Sequence, residues 1–313
     1  MRKIVNTFSM LLLFLLMVSC SIDKNAAELP KVELNNDVSI LVPSGTPYLA
    51  LCGLLNSEKI KVDISNGPSG LQSALPSGAY DIVVAPINLA VNLYNKGNSG
   101  YQVSHILTAN NTFVVTKSEN KLDSILDLKD EKVLAFASNG IPANILRKVY
   151  NDNQLDISNV DFSLASSAAV YSLFAGGSTD AKYVLMSEPE ISKLIINDKM
   201  SINVLHLSKV LDADIAQACL YVNPNSKNVD DINKVLNLIG ELVEYLNLYP
   251  KAYADAVLQL DESRTLIAMG KDVIVNSIPQ TSIIFKEAKT NKTDIENTLN
   301  MLGVDLPNDS FYR

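Results

Sequence analysis

From Val38 onward, short runs of β-branched residues alternate with segments of helical periodicity. The run 38–42 (VSILV) is followed by a turn of Pro, Ser, Gly and Thr and then by a helical segment. After a charged stretch at 117–132, the same unit begins again with 133–136 (VLAF). Alternating strands and helices restrict a chain to α/β folds, in which helices cover mainly parallel sheets. We therefore predict an α/β protein with mainly parallel sheets flanked by helices.

The strand and helix units form two consecutive series, which predicts two lobes. The strand-like runs 112–116 and 217–222 join the series, because the first leaves lobe one and the second returns to it. The mature chain of roughly 290 residues has a size at which one hydrophobic core usually divides into two. We predict lobe one at 37–113 and 218–313 and lobe two at 114–217, with a two-segment hinge and a cleft between them.

The last third of the chain has a helical pattern. Apolar residues recur at i, i+3, i+4 and i+7 between 231 and 249, and Pro250 ends this run. The segments 252–260, 264–270 and 293–302 continue the helical pattern. We predict a helical C-terminal region.

The first 20 residues have the layout of a cleavable secretory signal. Arg2 and Lys3 precede a run of roughly ten apolar residues, and the small residue Ser19 stands just before Cys20. A membrane-spanning helix needs about 20 apolar residues, so this run is too short to span a bilayer comfortably. The pattern predicts export from the cytoplasm.

Residues 17–20 (MVSC) resemble the lipobox of bacterial lipoproteins, in which the cysteine is acylated and becomes the new N-terminus. The resemblance implies a signal peptide at 1–19, a lipid on Cys20 and a mature protein held at a membrane, on the cell surface or in the periplasm. The polar segment 20–36 is then a lipidated flexible tether. The alternative is an ordinary signal peptide or a membrane anchor that happens to contain a cysteine.

The charge of the chain narrows its partners. It has 26 Lys and Arg against 34 Asp and Glu, for a formal net charge of −8. Such an acidic chain is a poor partner for nucleic acid or for anionic lipid. We therefore predict no nucleic-acid partner, and membrane contact through acyl chains on Cys20.

Few residues suit catalysis or metal binding. The two histidines, His105 and His206, each lie in a strand-like run without a partner at metal-ligand spacing. Cys52 and Cys219 lie in apolar stretches, which favours two buried thiols and leaves a disulfide between them open. The sequence has no serine-hydrolase, nucleotide-phosphate or zinc-protease motif. We predict no metal, no cofactor and no enzymatic activity.

Polar turns between strands and helices are the best candidates for a ligand site. Ligands of open α/β sheets bind at the carboxyl ends of the strands, where helix N-termini present free N–H groups. The same residue types also cap helices, so a single turn is compatible with a ligand site or with a helix cap. Convergence of several turns favours a ligand site. Glu188 is the one acid at such a turn, where it suits a ligand N–H, a cation or a helix start. The turns are 44–46, 65–67, 85–88, 138–140 and 166–167.

Four stretches resemble the substrate-binding lipoproteins of ABC importers, in the nitrate, sulfonate, taurine and thiamine-precursor group. They are 42–50 (VPSGTPYLA), 67–86 (GPSGLQSALPSGAYDIVVAP), 126–133 (LDLKDEKV) and 306–312 (LPNDSFY), and their order and spacing carry the resemblance. The resemblance implies a two-lobed fold like the type II periplasmic-binding proteins. It also implies hinge closure on a small ligand and delivery to an ABC permease and its ATPase. A monomer is the default state for a hinged receptor.

By analogy with that family, the ligand-binding residues fall on loops of both lobes. They are Ser44, Gly45, Thr46, Tyr48, Asn66, Gly67, Pro86, Asn88, Asn110, Ser138, Asn139, Gly140, Ile141 and Glu188. The resemblance does not identify the ligand. Because none of the predicted turns contains an arginine, an oxyanion held by N–H groups and hydroxyls and a neutral or zwitterionic organic solute are comparable candidates.

Two other functions remain open on the same fold. One is a sensory or adhesive lipoprotein that has lost transport. The other is an enzyme of the pyrimidine-synthesis or menaquinone-pathway type, for which His105 is the candidate reactive group beside the cleft.

Overall fold

The computed structural model describes residues 28–65, 67–261 and 264–313. The predicted signal peptide, Cys20, residues 21–27 of the predicted tether and Asn66 lie outside these residues. The strands within them are β1 Val38–Pro43, β2 Ile60–Ser65, β3 Ile82–Pro86, β4 Gln102–Ala109, β5 Phe113–Lys117, β6 Val133–Phe136, β7 Val160–Leu164, β8 Tyr183–Met186, β9 Ile202–His206, β10 Ala216–Val222 and β11 Ser282–Glu287.

The helices lie between these strands and in the C-terminal third. They are α1 Thr46–Leu51, α2 Pro68–Ser77, α3 Ile87–Asn95, α4 Ile141–Asp152, α5 Ser167–Ala175, α6 Glu190–Ile196, α7 Leu207–Leu211, α8 Val229–Leu248, α9 Pro250–Leu260, α10 Thr265–Met269, α11 Lys271–Ser277 and α12 Lys292–Met301. Short 3₁₀ turns lie at Cys52–Asn56, Ile125–Leu128, Ile157–Asn159, Ile278–Gln280 and Asp309–Phe311. Among the helices of the described ranges, none has the length and apolar character needed to cross a membrane.

The strands form two sheets, which confirms the predicted α/β architecture. Sheet one has the order β11-β4-β10-β3-β1-β2, and sheet two has the order β7-β6-β8-β5-β9. The chain passes from sheet one to sheet two between Ala109 and Phe113, and it returns between Leu211 and Ala216. These two stretches are called the crossing segments below.

The strand pairing is more mixed than the predicted, mainly parallel pattern. In parallel, β1 pairs with β2 and β3, and β6 pairs with β7 and β8. The strands next to the crossing segments pair antiparallel: β10 with β3 and β4, β11 with β4, and β5 with β8 and β9. β10 runs antiparallel to β3 and β4 because the chain re-enters sheet one at the end of the sheet where those two strands finish.

Two hydrophobic clusters cover the opposite faces of sheet one. Because successive strand residues point to opposite faces, Ile40 packs under helices α8 to α11 while Leu41 packs on the other side. The cluster around Leu41 continues into sheet two, where it includes Phe113 and Val114. Burial of apolar surface therefore joins the two sheets as well as stabilising each of them.

The C-terminal region is mostly helical, as predicted, and it also contains a strand that the sequence does not indicate. In α8, Ile232, Val235 and Ile239 lie on one buried face. The unpredicted strand is β11, which pairs antiparallel with β4 and has a register shift between Ile283 and Lys286. It forms the edge of sheet one.

Candidate functional site

Three residues from distant parts of the sequence meet where the two sheets approach each other. Thr46 follows β1, Glu188 follows β8, and Asn111 lies on a crossing segment. Thr46 Oγ1 donates to the Glu188 carbonyl oxygen at 3.2 Å and accepts from Asn111 Nδ2 at 3.1 Å. Asn111 Oδ1 accepts from the Glu188 N–H at 2.8 Å. The three residues are 5%, 4% and 9% exposed, respectively, so this junction is a buried polar link between the sheets.

The carboxyl group of Glu188 is held in this buried environment. Its Oε2 accepts from the Ser192 N–H at 3.0 Å, and burial raises the pKa of Glu188 to about 7. Two residues further along, burial raises the pKa of Glu190, whose carboxylate lies 3.5 Å from Lys193 Nζ. Ser192 Oγ accepts from Asn276 Nδ2 on α11 at 3.0 Å, which adds a second link between the parts of the chain built on the two sheets.

Asn88 lies in the first turn of α3, which follows β3. β1 and β3 are parallel neighbours, with Ile40 opposite Ile82 and Leu41 opposite Val83. The helices that follow them diverge, because α1 packs in the cluster of Ile40 and α3 packs in the cluster of Leu41. The Oδ1 atom of Asn88 is buried and has no hydrogen-bond partner among the residues the structure describes. Because buried polar atoms are nearly always paired, this acceptor marks a position where a donor is missing.

Several helices that begin at these strand ends lack a side-chain cap. In the described residues, α1, α3 and α4 begin at Gly45, Pro86 and Gly140 without one. At α5, by contrast, Ser166 Oγ accepts from the Ala169 N–H at 3.3 Å, so that predicted turn is a capping turn. Gly45 has a φ of +90°, a conformation that favours glycine. The first-turn N–H groups of α3 and α4 therefore remain available to another partner.

The turn at Ser138 is held by an arginine from the following helix. Arg147 Nη1 donates to the Ser138 carbonyl oxygen at 2.5 Å and to Asn144 Oδ1 at 3.1 Å. Its guanidinium lies 4.1 Å from the ring centroid of Phe162. Ser138 and Asn139 are exposed, whereas Ile141, also predicted for the site, is buried at the start of α4. The sequence does not predict Arg147 for the site, because this residue lies well inside α4, beyond the loop that contains Ser138.

Asn110, another predicted ligand residue, connects the two crossing segments. It has a φ of +57°. Its Nδ2 donates to Asp214 Oδ1 at 2.9 Å, and its Oδ1 accepts from the Ile215 N–H at 2.8 Å. The neighbouring Asn111 N–H donates to Gln217 Oε1 at 2.9 Å. Side-chain amides thus brace the crossing segments against each other.

The other predicted residues lie further from the junction. Tyr48 points into the core of sheet one, where its hydroxyl donates to Asp261 Oδ1 at 2.9 Å. Ser44 is exposed in the turn after β1, and Gly67 precedes α2. Asn66 is outside the described residues.

The histidine in a strand-like run and the buried thiols that the sequence favours are found in the fold. His105 lies within β4, and its ring stacks on Phe285 at a centroid distance of 3.9 Å. Burial lowers the pKa of His105 to about 4. Cys52 and Cys219 are both buried free thiols, and burial raises the pKa of each to about 12. In the described chain, no group of three or more His, Cys, Asp or Glu residues is placed to hold a metal ion.

A cavity of about 630 Å³ opens beside the crossing segments. Asn110 is the one predicted ligand residue in its lining, and β9 and β11, whose ends border it, are the edge strands beyond β5 and β4. We call it the rear cavity. Its lining residues are Asn110, His206, Ser208, Lys209, Asp212, Ala213, Asp214, Pro279, Gln280 and Ser282.

Two mixed sheets joined by two braced crossing segments define a two-lobed fold of the periplasmic-binding-protein type, and solved structures share it. An ABC transporter protein from Parabacteroides distasonis aligns over 89% of this chain and 99% of its own, with a TM-score of 0.72 and 18% identity. The ligand binding component of an ABC-type import system from Staphylococcus aureus, solved with zinc bound, aligns over 89% and 96%, with a TM-score of 0.67 and 15% identity.

The periplasmic aliphatic sulphonate binding protein SsuA from Escherichia coli is also similar. It aligns over 86% of this chain and 86% of its own, with a TM-score of 0.66 and 13% identity. No family model matches the sequence. No curated protein matches it either. At these identities, the comparisons show a shared fold.

Proposed function

We propose that the chain is an extracytoplasmic solute-binding lipoprotein of an ABC importer. It captures a small organic solute or oxyanion between its lobes and delivers it to a permease with its ATPase. The observation that carries this proposal is the Thr46–Asn111–Glu188 junction, where strand ends of the two sheets meet beside braced crossing segments. Its support from outside the chain is that the similar structures include import-system binding proteins.

The binding step follows from this arrangement. The lobes, 37–113 with 218–313 and 114–217, rotate about the crossing segments and close on the solute. Free N–H groups at the starts of α3 and α4 and polar side chains at the strand ends surround it. A pre-formed site of this kind binds without first ordering its loops, which lowers the entropic cost of binding.

The chain remains near its permease through the lipid on Cys20. Of the predicted tether 20–36, the part before Leu29 supplies the slack, because Leu29 and Leu34 are packed in the core. The protein acts without a cofactor, and it acts as a monomer because one chain supplies both walls of the cleft.

Calorimetry and thermal shift on the mature protein test the proposal. We expect at least one member of a panel of alkanesulfonates, nitrate, pyrimidines and amino acids to raise the melting temperature. Ligand at 100 times its Kd stabilises the folded state by about 2.7 kcal/mol. Thr46→Val removes the hydroxyl of the junction and should raise the Kd for that ligand.

A matched control is Thr298→Val. It removes a buried hydroxyl on α12 that accepts from the Ala216 N–H and is not part of the junction. It should lower stability without changing Kd. Absence of binding across the whole panel would contradict a transport role for these solute classes.

A further inference from the structure

The segment that precedes β1 is bound to lobe one. We call residues 28–37 the strap. Leu29 and Leu34 are 7% and 8% exposed, and they belong to the same hydrophobic cluster as Ile40 and Ile232. Burial of two leucine side chains holds the strap on the domain by the hydrophobic effect. The strap is therefore part of the folded lobe, although its sequence predicts a flexible tether.

A buried carboxylate holds the end of the strap. Asp231, in the first turn of α8, is 2% exposed. It accepts from the Asn35 N–H at 3.2 Å, from the Asn36 N–H at 2.9 Å and from Asn36 Nδ2 at 2.9 Å. Hydrogen bonds to a charged acceptor are stronger than bonds between neutral groups. Asp231 thus fixes the strap to the start of α8.

Two further side chains bind the strap through its carbonyl oxygens. Lys59 Nζ donates to the Leu34 and Asn35 carbonyl oxygens at 3.0 and 2.9 Å. Asn228 Nδ2 donates to the Asp37 carbonyl oxygen at 3.1 Å. Lys59, Asn228 and Asp231 all belong to lobe one, so these contacts attach the strap to that lobe.

The bound strap limits how far the domain can stand from a lipid on Cys20. An extended chain covers at most about 3.5 Å per residue, so the stretch from Cys20 to Glu28 reaches at most about 28 Å. With the strap released, the stretch from Cys20 to Val38 would reach about 63 Å. A compact fold of roughly 285 residues has a radius of gyration of about 19 Å and hence a diameter of about 50 Å. Only the released chain is long enough to pass around the domain.

We propose that the strap orients the receptor on the lipid surface. It keeps the side of lobe one from which Glu28 emerges turned towards the bilayer. Lobe two, which these strap contacts leave unattached, stays free to rotate about the crossing segments. The inference rests on the lipid anchor of the proposed function, and it adds which surface of the molecule faces the membrane.

Energy transfer to a membrane tests this orientation. The mature protein is coupled through the Cys20 thiol to maleimide-bearing phosphatidylethanolamine in phosphatidylcholine vesicles, because Cys52 and Cys219 are buried. A donor dye is attached through an azido amino acid that replaces Val229, at the start of α8, or Leu126, in lobe two. These side chains are 50% and 57% exposed. With acceptor dyes on the headgroups, we expect transfer from position 229 to be at least twice as efficient as transfer from position 126.

Two variants separate the strap from other causes of orientation. The triple variant Leu29→Ser, Leu34→Ser and Asp231→Ala releases the strap. A second variant keeps the strap and inserts about twelve Gly and Ser residues between Asn25 and Ala26, which lengthens the tether without touching the fold. Both should bring the two transfer efficiencies together. Lys61→Ala is the matched control and should change neither, because it removes only an exposed ion pair with Asp37.

The outcomes distinguish this inference from the proposed function. Equal transfer from both positions in the unmodified chain overturns the inference, and so does a difference that survives the longer tether. Either result leaves solute binding and the anchor intact. Absence of acyl chains on Cys20 of the cellular protein, measured by mass spectrometry, refutes the anchor and with it a role of the strap at the membrane.

Discussion

At the scale of single residues, Asn111 shows why part of the junction escapes prediction. Its side-chain amide bonds to Thr46 and Glu188, which lie 65 and 77 positions away in the chain. Nothing in its local sequence distinguishes it from Asn110, which has a different set of partners on the other crossing segment. An amide that both donates and accepts suits this position, because Glu188 offers a backbone N–H and a carbonyl oxygen and Thr46 offers a hydroxyl oxygen.

Glu188 should make the stability of the protein depend on pH. Burial raises its pKa from 4.5 in the unfolded chain to about 7 in the fold. Folding therefore favours the protonated acid, and this contribution is complete below pH 4.5 and lost as pH rises through 7. Glu188→Gln removes the cost of the buried charge. We expect the variant to be more stable than the native protein at pH 8, by up to about 3 kcal/mol, with the difference vanishing near pH 4.5.

Chemical denaturation of both proteins between pH 4.5 and 8.5 measures this difference. Glu241→Gln on the exposed side of α8 is the control, and its free energy of unfolding should stay close to that of the native protein. A difference between Glu188→Gln and the native protein that stays constant across this range would refute the assignment.

At the scale of elements, the strands and helices of the α/β series follow from local patterns. The run at β6 is predicted to the residue, since it is a short apolar stretch between turn signals. β11 is not predicted, because a short strand with a register shift lacks the alternation that would separate it from the helical segments around it. The antiparallel pairs depend on where the chain re-enters a sheet, which is a property of topology and not of local sequence.

The candidate site is predictable in its turns but not in the direction of its side chains. Thr46, Asn88 and Glu188 all follow strands, and Thr46 and Glu188 meet in a hydrogen bond. Tyr48 also follows a strand, yet its hydroxyl pairs with Asp261, 213 positions further along the chain. Only the folded chain shows which face of α1 meets the core.

The link between α4 and the Ser138 turn predicts an effect on binding at this scale. Arg147→Ala removes two hydrogen bonds to Ser138, one to Asn144 and the stacking on Phe162. We expect a stability loss of about 1 to 2 kcal/mol. Under the proposed function the Kd should also rise several-fold, because a turn predicted to contact the solute loses its support.

Calorimetry of Arg147→Ala measures the affinity, and chemical denaturation measures the loss of stability. Lys148→Ala is the matched control on the same helix, since its surface ion pair with Asp152 is worth less than about 1 kcal/mol. Unchanged affinity in Arg147→Ala would show that the turn does not depend on this contact.

At the scale of the whole molecule, the proposed lipid anchor and the binding fold should be separable. Cys20→Ser removes the thiol that would be acylated, so we expect the protein to be released from the membrane fraction or to stay unprocessed. The folded variant should bind its solute with unchanged Kd. Fractionation and calorimetry of the same preparation measure the two properties, and a folded variant that no longer binds would contradict this division.

The rear cavity should change shape when the proposed hinge moves. Its walls belong to different lobes, because α7 follows sheet two and the start of β11 belongs to sheet one. Under the proposed hinge motion, a rotation that narrows the front of the cleft separates these rear walls. The outer face behind the hinge would then change shape in the opposite sense to the binding site. A protein resting on that face could tell a loaded receptor from an empty one without touching the solute.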